Sequence, residues 1–208
     1  MSEPMFFNLQ CSLVDHPETI SAVVYTKFCN WNCWGCHNMK YLLKGKDLVS
    51  YTMEDIIKAV KNPIVELLII TGGEPLTQGD DFINALRYLR QHITKPIRID
   101  TNGTSPSLVE LIKNEKLADG FAMDIKFPYW LDDQDNILHK ITGVKDIDKS
   151  NILKTMRLVD AMPFSLFRTV RYPILSNDLL DNIVDYIKNN FKSPHFVNNY
   201  YNIKGEVV

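Results

Sequence analysis

The sequence predicts an α/β fold built on parallel strands, and three observations support this. Strand-like and helix-like segments alternate along the 208 residues, about six segments are β-branched and apolar, and unusual residues follow their ends. A complete eight-fold barrel needs about 250 residues, so about six units are too few for one. An open or partial barrel, or a doubly wound sheet, fits the count. In each of these a ligand binds at the carboxyl ends of the strands.

The predicted strands are recognised by their composition. The first five are rich in β-branched and aliphatic residues, and the last gives a weaker signal. They are residues 20–26, 66–71, 97–101, 121–125, 164–170 and 195–200.

Helices are predicted between these strands. Each has a polar residue near its start that can cap the first turn, followed by apolar residues at helical spacing. The residues predicted to cap or begin the helices are Thr52 (in a capping box with Asp55), Asp80 or Asp81, Ser105 (before Pro106), Ser150, and Asn177 or Asp178.

Composition excludes several classes of protein. Hydrophobic residues make up 45% and charged residues 23%, which excludes a disordered chain, a collagen or a coiled coil. With 23 basic and 25 acidic residues the net charge is −2, so a nucleic-acid partner is not expected. No apolar run reaches the roughly 20 residues of a membrane helix, and the first residues lack the pattern of a secretory signal. We expect a single cytoplasmic domain over residues 1–208, with a core at about 10–175 and an extension at 176–208.

Three of the four cysteines lie together in the loop after the first predicted strand. Their spacing is C-x-x-x-C-x-x-C at Cys29, Cys33 and Cys36, and thiolates bind soft metals and iron–sulfur clusters. Three thiolates would leave one iron of a 4Fe-4S cluster open to a small chelating molecule. The alternative is a zinc site completed by His37, although zinc ligands usually come as two separated pairs. Cys11 could be a distant further ligand, but we expect it to be a small buried residue.

Unusual residues also follow the other predicted strands. They are Gly72-Gly73-Glu74-Pro75 after the second strand, Asp100-Thr101-Asn102-Gly103 at the third, Asp124 and Lys126 at the fourth, and Arg168 and Arg171 at the fifth. Because the carboxyl ends of parallel strands meet at one edge, we expect these residues and the cysteine loop to form one site. Simpler interpretations are a Gly-Pro turn at 72–75, an Asn-Gly turn at 102–103 and surface salt bridges for the two arginines.

The three-cysteine loop and the sequence GGEP at 72–75 together resemble the radical S-adenosylmethionine (radical SAM) superfamily. Within it, residues 12–38, DTNG at 100–103 and MDIK at 123–126 resemble the activating enzymes of glycyl radical enzymes. The segment SLVDHP is most similar to the activating protein of anaerobic ribonucleoside-triphosphate reductase. The resemblance covers roughly residues 10–175. It implies one radical SAM domain folded as a partial (β/α)6, TIM-like barrel.

The resemblance implies a reaction and its cofactors. Cys29, Cys33 and Cys36 would hold a 4Fe-4S cluster that cleaves S-adenosylmethionine to methionine and a 5′-deoxyadenosyl radical. This radical would abstract hydrogen from a glycine of a partner glycyl radical enzyme, anaerobic ribonucleotide reductase by the match, with a flavodoxin-type or other low-potential reductant. The alternatives are a radical SAM enzyme that acts on a small molecule or peptide, and a non-enzymatic zinc-binding module. Neither nucleic acid nor membrane is an expected partner.

The resemblance also assigns residues to S-adenosylmethionine. They are Gly72, Gly73 and Glu74 for its ammonium group, Gly35 and His37 near its adenine, Lys126 for its carboxylate, Arg168 and Arg171 for its ribose or carboxylate, and Asn102 beside them. Asp100, Thr101 and Asp124 would hold a monovalent or Mg cation next to the carboxylate, because hard oxygens suit such an ion. His37 could equally be a surface residue. Trp31 and Trp34 would shield the cluster or face the partner.

Overall fold

The fold is an eight-stranded sheet with helices packed on it. The structure, a computed structural model, describes residues 5–38, 48–132 and 135–201. The strands are β1 (Phe6–Ser12), β2 (Ser21–Thr26), β3 (Ser50–Tyr51), β4 (Leu67–Gly72), β5 (Ile97–Thr101), β6 (Gly120–Asp124), β7 (Leu166–Arg171) and β8 (His195–Asn199). Their order in the sheet is β3–β1–β2–β4–β5–β6–β7–β8.

The strands β2, β4, β5, β6, β7 and β8 are parallel, and they follow one another in the sheet as they do in the chain. Each crossover therefore runs in the same direction, which places the crossover helices on one face and lets the sheet curl. A doubly wound sheet would reverse its strand order, so that alternative is excluded. The predicted partial (β/α)6 barrel of parallel strands is confirmed.

All the predicted strands are present, with ends shifted by no more than two residues. The strands β1 and β3 were not predicted. Both lie at the antiparallel edge of the sheet, where β1 pairs with β2 and β3. Their signal is weak because β3 has two residues and β1 is interrupted by a bulge between Phe7 and Gln10.

The helices are α1 (Met53–Val60), α2 (Gly79–His92), α3 (Pro106–Asn114), α4 (Asp135–Thr142), α5 (Lys149–Val159) and α6 (Asn177–Asn190). A short 3-10 helix at Pro75–Gln78 precedes α2. The helix α4 was not predicted, because its apolar face is narrow: only Leu138, Ile141 and Thr142 are buried.

Two predicted helix starts are confirmed in detail. Thr52 and Asp55 form the predicted capping box of α1, each side chain accepting a hydrogen bond from the other's backbone. Ser105 is the residue before α3 and Pro106 lies in the first turn, although the Ser105 hydroxyl makes no capping hydrogen bond.

The other caps differ from the prediction. Neither Asp80 nor Asp81 caps α2, because the preceding 3-10 helix runs directly into it. Ser150 lies inside α5, which is capped by Asp148. The helix α6 begins at Asn177 as predicted, but the capping hydroxyl is that of Ser176.

The two faces of the sheet bury different side chains, because successive strand residues point to opposite sides. The face under the helices is mostly apolar and includes Val24, Leu68, Ile70, Ile99 and Phe121. Inside the barrel a small apolar cluster of Val23, Leu67 and Ile69 packs with the partly buried Tyr25 and Phe164. Closer to the carboxyl ends the inward positions are polar, and that change of character creates the site.

Among the described residues, no helix is long and apolar enough to cross a lipid bilayer. The predicted single domain over 1–208 takes in residues 1–4, 39–47, 133–134 and 202–208, which lie outside the described residues. That prediction is not tested.

Candidate functional site

The predicted site residues line one cavity of about 370 Å³ at the carboxyl ends of the parallel strands. Those that line it are Cys29, Cys33, Gly35, Cys36, His37, Gly72, Gly73, Glu74, Asp100, Thr101, Asn102, Asp124, Lys126 and Arg168. The rule that ligands bind at this edge of a parallel sheet therefore brought distant motifs together correctly. The role of each residue stays a prediction.

The cysteine loop is fixed at both sides. The Cys36 amide donates to the Cys33 carbonyl across 3.2 Å, and Gly35 between them has a φ of +63°, which favours glycine. The backbone amides of Asn32 and Trp34 donate to carbonyls at the end of α4, those of Thr142 and Ile141. Thus the loop keeps its shape through backbone contacts, independently of the cysteine side chains.

The three thiols are free, and two are partly desolvated. Burial raises the pKa of Cys29 to about 11, although the Trp31 amide N–H, which lies 3.4 Å from its sulfur, opposes this. Burial also raises the pKa of Cys33. Without a metal these two groups are therefore protonated thiols at neutral pH, and metal binding must release their protons.

The thiols fit a cluster better than a single ion. Within the described ranges, no three His, Cys, Asp or Glu side chains converge closely enough to hold one metal ion. His37, the proposed fourth zinc ligand, has its Nε2 3.0 Å from the Tyr201 carbonyl oxygen. A structural zinc site needs four converging ligands, whereas a 4Fe-4S cluster takes each thiolate on a different iron. Three thiols around one cavity suit the second arrangement.

Cys11 does not belong to the site. The prediction that it is buried is wrong, because its side chain is exposed on β1. It pairs with Ala22 near the start of β2, whereas the cysteine loop follows the end of β2. The position was misjudged because β1 was not predicted, and without a strand no face of the sheet could be assigned to this residue.

The two glycines of GGEP allow close packing of backbone on backbone. A Cβ at Gly73 would lie 2.0 Å from the Phe28 carbonyl oxygen, and one at Gly72 would lie 2.5 Å from backbone atoms of Thr26. The amides of Gly73 and Glu74 donate to the carbonyls of Thr26 and Phe28 across 2.9 and 2.7 Å. The glycines thus attach the end of β4 to the start of the cysteine loop, a role that the sequence argument missed.

Glu74 is a buried connection between strand ends. Its carboxylate accepts hydrogen bonds from the Asn102 amide at 2.6 Å, the Thr101 hydroxyl at 2.8 Å and the Leu76 amide at 3.3 Å. Burial raises the pKa of Glu74 to about 7 in spite of these bonds. Its oxygens are therefore occupied by β5 and by its own turn.

A charged network forms one wall of the cavity. Arg168 donates from Nε to Asp124 Oδ1 and from Nη1 to Asp100 Oδ2, both across 3.0 Å. Lys126 Nζ lies 3.1 Å from Asp124 Oδ2. Burial alone would raise the pKa of Asp124, but Lys126 and Arg168 outweigh it and lower that pKa to about 2. The same pairing raises the pKa values of Lys126 and Arg168, so all three groups are charged at neutral pH.

Arg98 completes this network and was missed. It is fully buried, and its Nε donates to Asp100 Oδ1 across 3.0 Å. Sequence reasoning considered residues after strand ends, whereas Arg98 lies within β5 and points into the barrel. An arginine between the two isoleucines of β5 was the available signal.

The oxygens predicted to hold a cation already have hydrogen-bond partners. Both oxygens of Asp100 and both of Asp124 already accept from guanidinium or ammonium groups. The Thr101 hydroxyl donates to Glu74 and accepts from the Gly103 amide. A cation ligated by these residues would share each carboxylate with a guanidinium or ammonium group, whose positive charge opposes it.

The last parallel strand also reaches the site. Tyr200, just after β8, is buried, lines the cavity and packs near the rings of Trp34 and Tyr172 at centroid distances of 5.8 and 5.7 Å. A Cβ at Gly35 would lie 2.2 Å from the Tyr200 hydroxyl oxygen. Applying the strand-end rule to the weak sixth strand would have found this residue.

Arg171 and the tryptophans take different positions. Arg171 is exposed, bonds to Asn177 and does not line the cavity. Trp31 is buried in the core and lines the cavity, whereas Trp34 is 43% exposed. Trp31 therefore lies where it would shield a cluster in the cavity, and Trp34 lies where it would contact a partner protein.

Comparison with known proteins gives a family and several relatives. A family model described as the radical SAM superfamily matches residues 23–189. A Methanocaldococcus jannaschii protein, provisionally named a glycyl-radical enzyme activating enzyme, is 34% identical over 148 residues, 67% of this chain and 60% of that protein. The 7-carboxy-7-deazaguanine synthase of Clostridium acetobutylicum is 29% identical over 185 residues, 80% of this chain and 79% of that enzyme.

A solved structure has a similar fold. It is native anSMEcpe with bound AdoMet and a peptide, which matches with a TM-score of 0.56 and 18% identity over 86% of this chain. This chain spans about half the length of that protein (51%), and 60% of the M. jannaschii relative.

Proposed function

Since the chain belongs to the radical SAM superfamily, we propose that it activates a glycyl radical enzyme, and specifically an anaerobic ribonucleoside-triphosphate reductase. The observation that supports this most is the combination of the three-cysteine loop with DTNG and MDIK at neighbouring strand ends, since all three contribute residues to the lining of one cavity. The 34% identity to a protein provisionally named as such an activator supports the same class.

Cys29, Cys33 and Cys36 would hold a 4Fe-4S cluster. When bound, the cluster and S-adenosylmethionine supply a one-electron cleavage that gives methionine and a 5′-deoxyadenosyl radical able to take hydrogen from a glycine Cα. The protein's part is to release the thiol protons of Cys29 and Cys33 when the cluster binds and to hold the loop against α4. A flavodoxin-type or other low-potential protein would provide the electron.

The charged wall would orient the amino-acid end of S-adenosylmethionine. Lys126 and Arg168 present positive charge to the cavity, and a carboxylate is the complementary group. Glu74 has its oxygens engaged by the protein, so we assign it the positioning of β5 more than direct contact with the ammonium group. Gly35, with Tyr200 packed over it, leaves a flat surface for the adenine.

The rim of the cavity suits a protein partner. Large apolar side chains beside the cavity-lining residues are exposed: Phe28 by 55%, Trp34 by 43% and Tyr201 by 41%. Exposed aromatic residues of this kind are enriched at protein interfaces. A loop of the partner enzyme that carries the glycine could dock on this rim.

The test is a glycyl radical measured by EPR. Anaerobic protein, reductant, S-adenosylmethionine and an anaerobic ribonucleotide reductase should give the doublet of a glycyl radical, and a reductase with its radical glycine replaced by alanine should not. Cys33→Ser should abolish the doublet, whereas Cys11→Ser, outside the cavity, should retain it. No doublet with any glycyl radical enzyme would contradict the proposal.

A second candidate is a radical SAM enzyme that acts on a small molecule. It is favoured by the match to 7-carboxy-7-deazaguanine synthase, which covers 79% of that enzyme. The observation that would select it is consumption of S-adenosylmethionine that depends on a small metabolite in the absence of any partner protein.

A further inference from the structure

Arg98 is an unusual residue for the inside of a barrel. Its side chain is fully buried, and its Nε donates to Asp100 Oδ1 while its Nη1 donates to the Asp15 carbonyl across 2.9 Å. Its Nη2 is buried and has no hydrogen-bond partner within the part of the chain that the structure describes. Burying a guanidinium is unfavourable unless it is paired, so its pairing with Asp100 must matter to the site.

The pairing changes the charge of the cavity wall. Two carboxylates, Asp100 and Asp124, face three cationic side chains, Arg98, Lys126 and Arg168. This ion-paired cluster therefore carries one excess positive charge, which favours a carboxylate next to it over a further cation, although Asp15 and Glu74 also line the cavity. A Ca²⁺ or Mg²⁺ ion needs about six oxygen ligands, and the carboxylate oxygens here already have cationic partners.

One group on this wall is still available. Arg168 uses Nε and Nη1 for the two carboxylates, and its Nη2 makes no hydrogen bond to a described residue. Its side chain is 22% exposed and lines the cavity. Arg98 binds the other oxygen of Asp100, Oδ1, from within β5, and thereby leaves Oδ2 to Arg168.

We propose that Arg98 replaces a bound metal cation: it neutralises Asp100 from within the barrel, so that Arg168 and Lys126 bind the carboxylate of S-adenosylmethionine without Na⁺, K⁺ or Mg²⁺. Arg98 is in this account a positioning residue, since it acts through Asp100 and Arg168. The identity of the ligand rests on the proposed function. The prediction that binding does not depend on a cation follows from the arrangement of the five charged side chains, Arg98, Asp100, Asp124, Lys126 and Arg168.

The test is an equilibrium titration of S-adenosylmethionine into the anaerobic, cluster-loaded protein, with the heat of binding measured by calorimetry. It is run in potassium chloride, sodium chloride and choline chloride at equal ionic strength, with and without magnesium chloride. For the unmodified protein the Kd should agree within about twofold in all of them, because no site for a small cation is formed. A Kd that rises about tenfold or more in choline would overturn the inference.

Arg98→Met gives the complementary test, because it removes the charge and keeps the length of the side chain. Asp100 then lacks one partner, and the Kd should become dependent on K⁺, Na⁺ or Mg²⁺ by about fivefold or more. Arg98→Lys, which keeps the charge, should stay independent of the cation. Arg90→Met is the matched control, since Arg90 pairs with Asp119 and does not line the cavity.

The outcomes separate the two levels of the proposal. If the Arg98→Met protein does not fold, as judged by circular dichroism, the unmodified protein and Arg98→Lys still decide whether binding needs a cation. A folded Arg98→Met protein that remains indifferent to cations would overturn the role of Arg98. Binding that needs a cation in the unmodified protein overturns this inference alone, whereas no binding in any salt overturns the proposed function and this inference with it.

Discussion

Asn102, at the end of β5, donates a hydrogen bond of 2.8 Å from its side-chain Nδ2 to the side-chain oxygen of Asn30 in the cysteine loop. The Asn102 oxygen in turn accepts from the amide and hydroxyl of Thr104. The backbone N–H of Asn102 donates to Glu74. The cysteine loop is thus attached through side chains to the same strand end that carries Asp100.

This relationship predicts a coupling between the two asparagines. Asn102→Ala should lower the free energy of unfolding by about 1–2 kcal/mol, because Asn30 and Thr104 lose hydrogen bonds. Asn30→Ala should cost less, because Asn30 is exposed and loses two bonds, to Asn102 and Thr104. The double variant should cost less than the sum, since the Asn102–Asn30 bond is lost in both single variants. Denaturant unfolding measures these values. Asn84→Ala, on the exposed side of α2, is the control, and strictly additive costs would contradict the coupling.

Gly35 and Tyr200 should also be coupled. An alanine at Gly35 places its Cβ against the Tyr200 hydroxyl and also strains the positive φ, so Gly35→Ala should destabilise the protein by about 1–3 kcal/mol. Removing the ring with Tyr200→Ala should relieve the steric part, so Gly35→Ala should cost less in that background. Thermal unfolding of the single and double variants tests this, and an equal cost in both backgrounds would contradict it.

Two serines at helix starts should behave differently. The Ser176 hydroxyl accepts from the Leu179 amide at the start of α6, whereas the Ser105 hydroxyl makes no such bond at the start of α3. Ser176→Ala should therefore lower the free energy of unfolding by about 1 kcal/mol, and Ser105→Ala should change it by less than about 0.5 kcal/mol. Equal effects in urea unfolding would show that the capping bond has no role.

His195 should make stability dependent on pH. Burial lowers its pKa from 6.5 to about 4 in the folded protein, so the unfolded chain takes up a proton first as the pH falls. Stability from this group is complete above about pH 6.5 and is lost as the pH falls towards 4. His195→Gln cannot titrate, and its free energy of unfolding should fall less steeply over this range. Identical slopes for the two proteins would contradict the assignment, and NMR titration of the ring gives the pKa directly.

The sequence was sufficient for the parts of the fold that depend on local pattern. Alternating apolar strands and helices predicted the parallel sheet, and the strand-end rule found the residues that line the cavity. The antiparallel edge of the sheet was not predicted, because β1 and β3 have few consecutive apolar residues. The wrong prediction that Cys11 is buried followed from this, since a residue cannot be assigned to a face of the sheet until its strand is known.

The details of the site depend on contacts that local pattern does not encode. Glu74 was predicted from the sequence to bind the ammonium group of S-adenosylmethionine. In the structure its oxygens accept hydrogen bonds from Thr101 and Asn102 of a different strand. Asp100 and Asp124 were predicted from the sequence to bind a cation. In the structure Asp100 accepts hydrogen bonds from Arg98 and Arg168, and Asp124 accepts one from Arg168. Pairing across strands is a property of register, and register appears only when the sheet is assembled.

The measurement that tests the account most directly is anaerobic iron and sulfide analysis of the protein, combined with EPR of the reduced protein before and after S-adenosylmethionine is added. We expect about four irons and about four sulfides per chain, and a signal that changes when S-adenosylmethionine binds the open iron. Zinc without sulfide, or a cluster whose signal does not respond to S-adenosylmethionine, would contradict the assignment of Cys29, Cys33 and Cys36 to a cluster with one open iron.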